Sequence, residues 1–346
     1  MLASGLATKP AGGRSRKRFL VGMLLVISLI AAAPSEADDA QDAQKLLFSM
    51  ANAIHNLDYQ GSFTYQHSGR TDTLRVFHAG GANERERLVS LNGPSRELVR
   101  SGSSVMCVGP DGSAVSYSIS RGKGLLPLVP AATTSSLDQH YEIRMAGSDR
   151  VAGYLADVIE VHPRDGFRYG YRIWLERDSH MLLRSMVVDQ RNQMLEQFMF
   201  VALEIGRTPS DTDLVPRQTG SLTSDGSGEN EIELRKSPDF RVSAAPPGFT
   251  LISARRPSRS SSATSEHLVF SDGLASVSVY IEAQAGNLSG LTTLAGRGSL
   301  NLQVFFRDGM QFTVLGDVPI ATVSSIAGSI ERVSGNGAQK QFDHGK

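Results

Sequence analysis

The sequence predicts an α+β protein that is mostly antiparallel β-structure and has a large and a small domain. Segments in which apolar and polar residues alternate with period two are many, and runs typical of helices are few. Only a few turn-forming residues separate most of these segments, and such short connections join antiparallel neighbours. A stretch rich in Ser, Thr, Gly, Pro and Asp at residues 206–230 separates two sets of predicted strands and indicates a linker.

Residues 1–37 have the three-part layout of a secretory signal peptide. Basic residues that end at Arg18 precede an uncharged apolar run from Phe19 to Ile30, and small residues suited to cleavage follow. A membrane anchor is the alternative, but this run is much shorter than the roughly 20 residues that a span needs. We therefore expect export, with cleavage near residues 33–37.

The charge of the mature chain is close to balanced. Removal of residues 1–37 leaves 30 basic and 34 acidic residues, a formal net charge of −4, which gives no overall attraction to nucleic acid. Cys107 is the only cysteine, so no internal disulfide can form. It lies in an apolar run predicted to be a strand, and a buried hydrophobic side chain is favoured over a catalytic thiol.

The large domain is predicted at residues 38–205 and begins with one amphipathic helix. Its apolar residues, which include Leu47 and Ile54, recur at helical spacing, as expected of a helix that covers a sheet. The period then changes to two, and about ten or eleven strands follow one another. So many antiparallel strands should curl a sheet strongly. We therefore predict an open, curled sheet, an unclosed barrel, with helices against it.

The small domain is predicted at residues 231–335 and is also α+β. Asp-Gly pairs at 272–273 and 308–309 stand between alternating segments and predict two hairpins. A closing helix is predicted with Pro319 near its start and apolar residues along one face. Residues 336–346 are polar and are predicted to be a flexible tail.

No recognisable catalytic motif is present in the sequence. It contains no G-x-S-x-G elbow, no H-E-x-x-H helix, no glycine-rich phosphate loop and no paired cysteines. His67 and His78 could meet across neighbouring strands and bind a metal ion, but surface histidines are the favoured interpretation. No metal site, no catalytic residue and no cofactor is predicted.

The stretch NERERLVSLNGPSRE at residues 83–97 places glutamates and arginines on a predicted strand. Glu84 and Glu86 share one face, as an acid–base pair would, while Arg85 and Arg87 share the other. A general acid or base needs a pKa that burial has shifted. We interpret the four side chains instead as solvated and paired with neighbouring strands.

Aromatic residues are concentrated on a few strands of the large domain. The aromatic set is Tyr59, Phe63, Tyr65, Tyr169, Tyr171, Phe198 and Phe200. Packing beneath the N-terminal helix would explain these residues. An incompletely filled cavity inside the curled sheet, able to take an acyl chain, would explain them equally well. The periodicity leaves both interpretations open.

Five stretches of the sequence together carry a family resemblance: DYQGSFTYQHSGRTDTLRVFHA (58–79), NERERLVSLNGPSREL (83–98), MCVGPDG (106–112), YRIWLERDSHMLLRSMVVD (171–189) and VLGDVPIATVSSIAGSI (314–330). They resemble the MucB/RseB family of periplasmic negative regulators of the envelope-stress sigma factor. The similarity extends over nearly the whole mature chain and both predicted domains.

This resemblance implies a large domain similar to LolA-type lipoprotein carriers and a flexible linker to the small α+β domain. It implies a non-enzymatic periplasmic protein that binds the periplasmic part of a membrane-spanning anti-sigma factor of the RseA/MucA type. The bound protein would shield that partner from regulated proteolysis and so keep the sigma factor inactive. Release would follow when a lipid-like envelope signal binds in the large domain.

Two binding sites are expected on this basis. The aromatic set would line the lipid cavity, and the small domain with its neighbouring face would hold the anti-sigma peptide. Arg255, Arg256 and Arg259 form a basic spot that could meet an acidic partner segment or lie in a solvated loop. A periplasmic lipid or lipoprotein carrier is the alternative function, and an exported hydrolase ranks behind it. Self-association stays open at this point.

Overall fold

The computed structural model describes residues 36–118, 137–217, 232–234, 238–257, 266–284 and 290–333. Almost all of the predicted signal peptide, most of the predicted linker and the predicted tail lie outside these residues. Among the helices that are described, none is both long enough and apolar enough to cross a membrane.

Within the described residues, one long helix and eleven strands form the large domain. The helix α1 spans Glu36–Asn56. The strands are β1 (Tyr59–His67), β2 (Arg70–Ala79), β3 (Arg85–Ser90), β4 (Glu97–Ser101), β5 (Ser104–Val108), β6 (Ala114–Ser118), β7 (Tyr141–Val151), β8 (Tyr154–Pro163), β9 (Gly170–Glu176), β10 (Leu182–Val188) and β11 (Met194–Ile205). The predicted N-terminal helix is therefore confirmed.

The eleven strands form one antiparallel sheet in the order β6-β5-β4-β3-β2-β1-β11-β10-β9-β8-β7. The strands β6 and β7 are its two edges, so the described sheet is open. A contact between two strands that are not neighbours shows that the sheet curls strongly: the Tyr154 hydroxyl of β8 donates a 3.1 Å hydrogen bond to the Leu203 carbonyl oxygen of β11. A flat sheet would hold these two strands about 14 Å apart. The predicted open, curled antiparallel sheet is confirmed.

The helix α1 lies on the inner face of this sheet, against β7 and β10. Its Leu47 and Met50 are 1% exposed and share one apolar core with Phe63 of β1 and Phe198 of β11. Burial of one such side chain contributes about 1.5–3 kcal/mol. Tertiary packing, more than helix propensity, therefore holds α1 in place.

The described part of the small domain contains a seven-stranded sheet, a two-stranded sheet and one helix. Its strands are β12 (Ile232–Leu234), β13 (Phe240–Val242), β14 (Thr250–Pro257), β15 (Glu266–Ser271), β16 (Ser276–Ala283), β17 (Thr292–Arg297), β18 (Leu300–Arg307), β19 (Met310–Gly316) and β20 (Ile330–Arg332). The seven-stranded sheet has the order β12-β14-β15-β16-β19-β18-β17, and β13 pairs with β20. The helix α2 (Ile320–Gly328) starts after Pro319 and packs on β18 and β19. Both predicted hairpins and the closing helix are confirmed.

The small domain packs directly against the large domain. Leu274, in the turn between β15 and β16, is 1% exposed and belongs to the apolar core of the large domain. The Thr322 hydroxyl donates a 2.6 Å hydrogen bond to the Phe167 carbonyl oxygen. Gly248 has a φ of +84° and lies so close to the His140 ring that a Cβ atom would overlap it. Glycine is therefore required at this point of the domain contact.

Residues 206–217, the described part of the predicted linker, lie against the large domain. The Gly206 amide donates to the Asp58 carbonyl oxygen at 2.7 Å, and the Arg217 amide donates to the Glu97 carboxylate at 3.1 Å. This segment therefore packs on the large domain. The prediction of a flexible linker now concerns residues 218–230, which lie outside the described part of the chain.

Candidate functional site

Five members of the aromatic set lie together in the core beneath α1. These are Tyr59, Phe63, Tyr171, Phe198 and Phe200, and each is at most 3% exposed. The ring centroids of Phe63 and Phe198 are 4.8 Å apart, and those of Phe198 and Phe200 are 5.1 Å apart in an edge-to-face arrangement. Such pairs add about 0.5–1.5 kcal/mol beyond the area they bury. In this conformation the five residues pack as core, and a hydrocarbon chain would have to displace them or α1 to enter.

The other two members, Tyr65 and Tyr169, lie at the contact with the small domain. The Tyr65 hydroxyl donates to the Glu196 carboxylate, which also accepts hydrogen bonds of 2.9 Å from the Ser299 amide and hydroxyl. The Tyr169 hydroxyl accepts a 3.0 Å hydrogen bond from the Asn301 amide group. Burial, together with the adjacent Glu196, raises the pKa of Tyr65. The aromatic set is therefore divided between the core and the domain contact.

A buried ion pair joins the two domains at Arg168 and Asp272. Both side chains are 0% exposed, and Arg168 Nε donates to Asp272 Oδ2 at 2.6 Å. The same oxygen accepts a 2.9 Å hydrogen bond from the Tyr141 hydroxyl. The guanidinium also donates to Asp165 and to the Pro247 carbonyl oxygen. Such a fully hydrogen-bonded pair fixes the orientation of the two domains, because losing either partner leaves a buried charge.

The sequence pattern does not indicate this ion pair. Asp272 was predicted only as a turn residue, and its Oδ1 does accept hydrogen bonds from the Leu274 and Ala275 amides of that turn. Arg168 precedes it by 104 residues and lies in the stretch FRYGYRIWLE (167–176), whose alternation with period two indicates an ordinary strand. No local pattern could have connected the two residues.

The centre of the charged strand β3 is buried, so the interpretation of its charged side chains as solvated is wrong for Glu86 and Arg87, whereas Arg85 is 41% exposed. Glu86 and Arg87 are both 1% exposed. The interpretation that they pair with neighbouring strands is correct: Arg87 donates to Glu97 of β4 at 3.0 Å, and Arg100 of β4 donates to Glu86 at 3.4 Å and to Glu84 at 2.9 Å. Both faces of β3 are covered, one by the end of α1 and the other by residues 211–217.

Replacing Glu97 with Gln is expected to lower the free energy of unfolding by about 2 kcal/mol, because hydrogen bonds to charged groups contribute about 1.5–3 kcal/mol. Glutamine keeps the shape of the side chain but removes the charge opposite Arg87. Asp211→Asn is the matched control, since Asp211 pairs with Arg85 while 86% exposed, and its loss should stay below about 1 kcal/mol. Urea denaturation measures both variants, and equal losses would contradict the assignment.

His67 and His78 lie at opposite ends of the β1–β2 hairpin, because Tyr59 pairs with His78 while His67 pairs with Arg70. They therefore cannot share a metal ion. His67 contacts Asp72 at 2.9 Å. Among the described residues, no group of three or more His, Cys, Asp and Glu side chains is arranged to hold a metal ion.

The described members of the basic spot are engaged within the small domain. Arg256 forms an ion pair with Asp239, and Arg255 Nε donates to the Ser253 hydroxyl at 3.0 Å. Arg259 lies outside the described residues. A role of this spot toward an acidic partner stays a prediction.

Two open grooves lie on the small domain beside α2 and β20. One has a volume of about 450 Å³, and Phe305 and Ala327 contribute to its walls. The other has a volume of about 330 Å³ and is lined by residues that include Phe240 and Arg332. Arg307 lines both grooves. Aromatic and guanidinium groups are enriched in protein interfaces. Among the described residues of the small domain, this region is therefore the best candidate for contact with a peptide.

The fold and the described sites define the class of the protein. It is a two-domain binding protein that consists mostly of antiparallel β-sheet. The chain belongs to the MucB/RseB family. The family models match residues 42–218 as the MucB/RseB N-terminal domain and residues 235–331 as the MucB/RseB C-terminal domain.

Curated relatives match along almost their whole length. The chain is 33% identical over 317 residues to the sigma factor AlgU regulatory protein MucB of Pseudomonas aeruginosa, a match that covers 89% of this chain and 96% of the relative. It is 28% identical over 321 residues to the sigma-E factor regulatory protein RseB of Escherichia coli K12, covering 91% of this chain and 98% of the relative.

Solved structures of relatives share the fold of both domains. The complex of Pseudomonas aeruginosa MucA and MucB matches with a TM-score of 0.66 and 29% identity, covering 85% of this chain and 100% of that chain. MucB in complex with MucA(peri) matches with a TM-score of 0.64 and 28% identity, covering 86% of this chain and 100% of that chain.

Proposed function

We propose that this protein is exported to the periplasm, binds the periplasmic part of an anti-sigma factor of the MucA/RseA type and so keeps an envelope-stress sigma factor inactive. By covering the anti-sigma factor, the protein would block its regulated proteolysis without any catalysis of its own. The observation that carries this proposal is the match over both domains to MucB, which was crystallised in complex with MucA.

The contact between the domains supports a role in which both domains act together. The Arg168–Asp272 pair and the insertion of Leu274 hold the small domain in one orientation on the large domain. A partner that contacts both domains would therefore meet a surface that is already arranged, which lowers the entropic cost of binding. We retain residues 38–205 and 231–335 as the extents proposed for the two domains.

Partner protection is the direct test of this function. The purified protein is mixed with the periplasmic segment of the anti-sigma factor encoded in the same genome, and cleavage of that segment by a periplasmic endoprotease is followed. We expect a complex on gel filtration and cleavage that is slowed at least about tenfold, because cleavage requires the unbound segment. Absence of a complex, or unchanged cleavage, would refute the proposal.

A pair of charge reversals tests the grooves as the peptide site. Arg307→Glu places a carboxylate beside both grooves and is expected to weaken the complex about tenfold or more. An unfavourable charge at an interface makes the free energy of binding less favourable by roughly several kcal/mol. Arg177→Glu, on the exposed surface of the large domain, is the matched control and should leave affinity unchanged. Equal affinities for the two variants would place the peptide elsewhere.

We further propose that a lipid-like ligand of the aromatic face releases the partner. A ligand that prefers the free protein must weaken partner binding by the same factor. Added lipid of the proposed class should therefore lower the affinity of the complex in proportion to its own preference for the free form. The alternative function, a lipid or lipoprotein carrier, predicts recovery of lipoproteins without an anti-sigma factor from envelope extracts.

A further inference from the structure

The C-terminal end of α1 meets the strands β2–β4 at a charged cluster. Its members are His55, His78, Glu84, Glu86 and Arg100. Their side chains are 29%, 1%, 14%, 1% and 1% exposed in that order. Glu84 stands at the centre: its Oε1 lies 3.0 Å from His55 Nδ1 and 3.0 Å from His78 Nε2, and its Oε2 accepts a 2.9 Å hydrogen bond from Arg100.

His78 faces a hydrogen-bond acceptor from each of its ring nitrogens. Nδ1 lies 2.8 Å from the Leu57 carbonyl oxygen, which can only accept. On the other side, burial alone would raise the pKa of Glu84, but hydrogen bonds from His55, His78 and Arg100 outweigh it and hold that pKa far below its ordinary value. The carboxylate is therefore ionised and also only accepts. His78 thus positions the Glu84 carboxylate from the side of the sheet.

His55 is favoured as a cation by the same carboxylate. Its hydrogen bond with Glu84 raises its pKa above the ordinary value of 6.5, against the opposing effect of burial. It also stands in the last turn of α1, where the helix dipole stabilises positive charge. The end of α1 thus presents a cation to the Glu84 carboxylate.

Backbone contacts connect the helix end and the sheet at the same place. The Gly81 amide donates a 3.1 Å hydrogen bond to the His55 carbonyl oxygen. The Gly80 amide donates to the Asp58 carboxylate at 2.9 Å, and the Tyr59 ring stacks on the His78 ring with centroids 4.4 Å apart. Loosening of the cluster would therefore break the hydrogen bond of the Gly81 amide and expose it to exchange with solvent.

We propose that His55 and Glu84 form a proton-dependent clamp that holds the C-terminal end of α1 against β2–β4 and loosens when His55 loses its proton. With His55 protonated, its imidazolium and the Arg100 guanidinium face the Glu84 and Glu86 carboxylates, while His78 contacts Glu84 from the sheet. With His55 neutral, the positive charge that α1 contributes is lost. Of the further described groups directed at the cluster, the Asp58 carboxylate and the Tyr59 ring supply no cation.

The direction of the pH dependence follows from the raised pKa of His55. A group whose pKa is higher in the folded state stabilises that state fully below its unfolded pKa, about 6.5, and stops doing so as the pH rises through the folded value. The clamp is therefore closed at pH 6 and loosens toward pH 8. The helix α1 covers the aromatic core, and its C-terminal end is therefore the first part of the helix to separate from the sheet.

Amide hydrogen exchange of the full-length protein without a partner tests the clamp. After correction for the chemical exchange rate, protection of the Gly81 amide is expected to fall at least about twofold from pH 6 to pH 8, because opening costs less free energy once His55 is neutral. The Arg164 amide, which donates to the His140 carbonyl oxygen away from the cluster, should keep its protection. Equal protection of Gly81 at both pH values would overturn the proposal.

Two variants and one control assign the effect to the cluster. Glu84→Gln should abolish the pH difference at Gly81, and His55→Gln, which changes a partly exposed side chain, should abolish it even if the first variant fails to fold. His67→Gln is the matched control, since His67 pairs with Asp72 at the far end of the β1–β2 hairpin, and it should retain the full difference. A pH difference that persists in His55→Gln would overturn the proposal.

The ring nitrogens of His55 give a direct readout. In ¹⁵N-histidine-labelled protein at pH 6, both nitrogens should carry the chemical shifts of a protonated imidazolium. A neutral tautomer of His55 at that pH would overturn the proposal.

Discussion

Replacing Arg168 with Ala is expected to lower the free energy of unfolding by about 3–5 kcal/mol, the range for breaking a buried ion pair by removal of one partner. The Asp272 carboxylate would remain buried with a hydroxyl and two amides but without a cation. Part of this cost can be avoided if the small domain moves away and Asp272 becomes hydrated. Urea denaturation measures the loss, and small-angle X-ray scattering detects the separation as a larger radius of gyration.

The matched control for this variant is Arg177→Ala. Arg177 pairs with Asp157 at 3.2 Å, but its side chain is 45% exposed, so the expected loss is below about 1 kcal/mol and the radius of gyration should not change. Similar losses for the two variants would mean that the Arg168 pair does not hold the domains together.

Asp272 illustrates what a sequence can and cannot predict in this fold. The Asp-Gly pair predicted the turn correctly, because turn formation depends on local backbone chemistry. The second role of Asp272 depends on Arg168, 104 residues away, and on the insertion of Leu274 into another domain's core. The hairpins and helices, which are set by local periodicity, were therefore predictable, while the contact between the domains was not.

The strand β3 was misinterpreted for a related reason. Alternation of Glu and Arg indicates a solvated strand only if at least one of its faces is open to solvent. Here the end of α1 covers the Glu86 face, and residues 211–217, which were assigned to a linker, cover the Arg87 face through the Asp213 carbonyl oxygen and the Arg217 amide. The charges are buried because a segment with the composition of a linker folds back onto the sheet.

The aromatic set was identified by its concentration on a few strands, but the curl of the sheet decides where each member points. A bulge between Ser62 and Phe63 shifts the register of β1 against β11. Phe63 points into the core, while Tyr65 reaches Glu196 at the domain contact. Period-two reasoning places such residues on one face and cannot divide them between two sites.

Replacing Phe198 with Ala is expected to cost about 3–5 kcal/mol of unfolding free energy, as for other large-to-small changes in a core. Phe198 is 1% exposed and packs against Phe63 and Phe200, so the lost ring leaves an apolar void. Val201→Ala is the matched control on the same strand, since Val201 is 51% exposed and its loss should be within about 0.5 kcal/mol. Denaturation with urea separates the two, and a loss below about 1 kcal/mol for Phe198→Ala would contradict the placement of this ring in the core.

The same variant decides whether the aromatic face is also a ligand site. An apolar cavity in a core stays dry and binds small apolar molecules, so Phe198→Ala should bind a medium-chain alkyl probe more tightly than the Val201→Ala control. If the proposed lipid site is this face, the unmodified protein should bind the probe as well, with an affinity that the Phe198 change alters and the Val201 change does not. Probe binding that is identical in both variants would place the lipid site outside the aromatic core. A ligand that displaces the Phe198 ring must bind with a different affinity once that ring is removed.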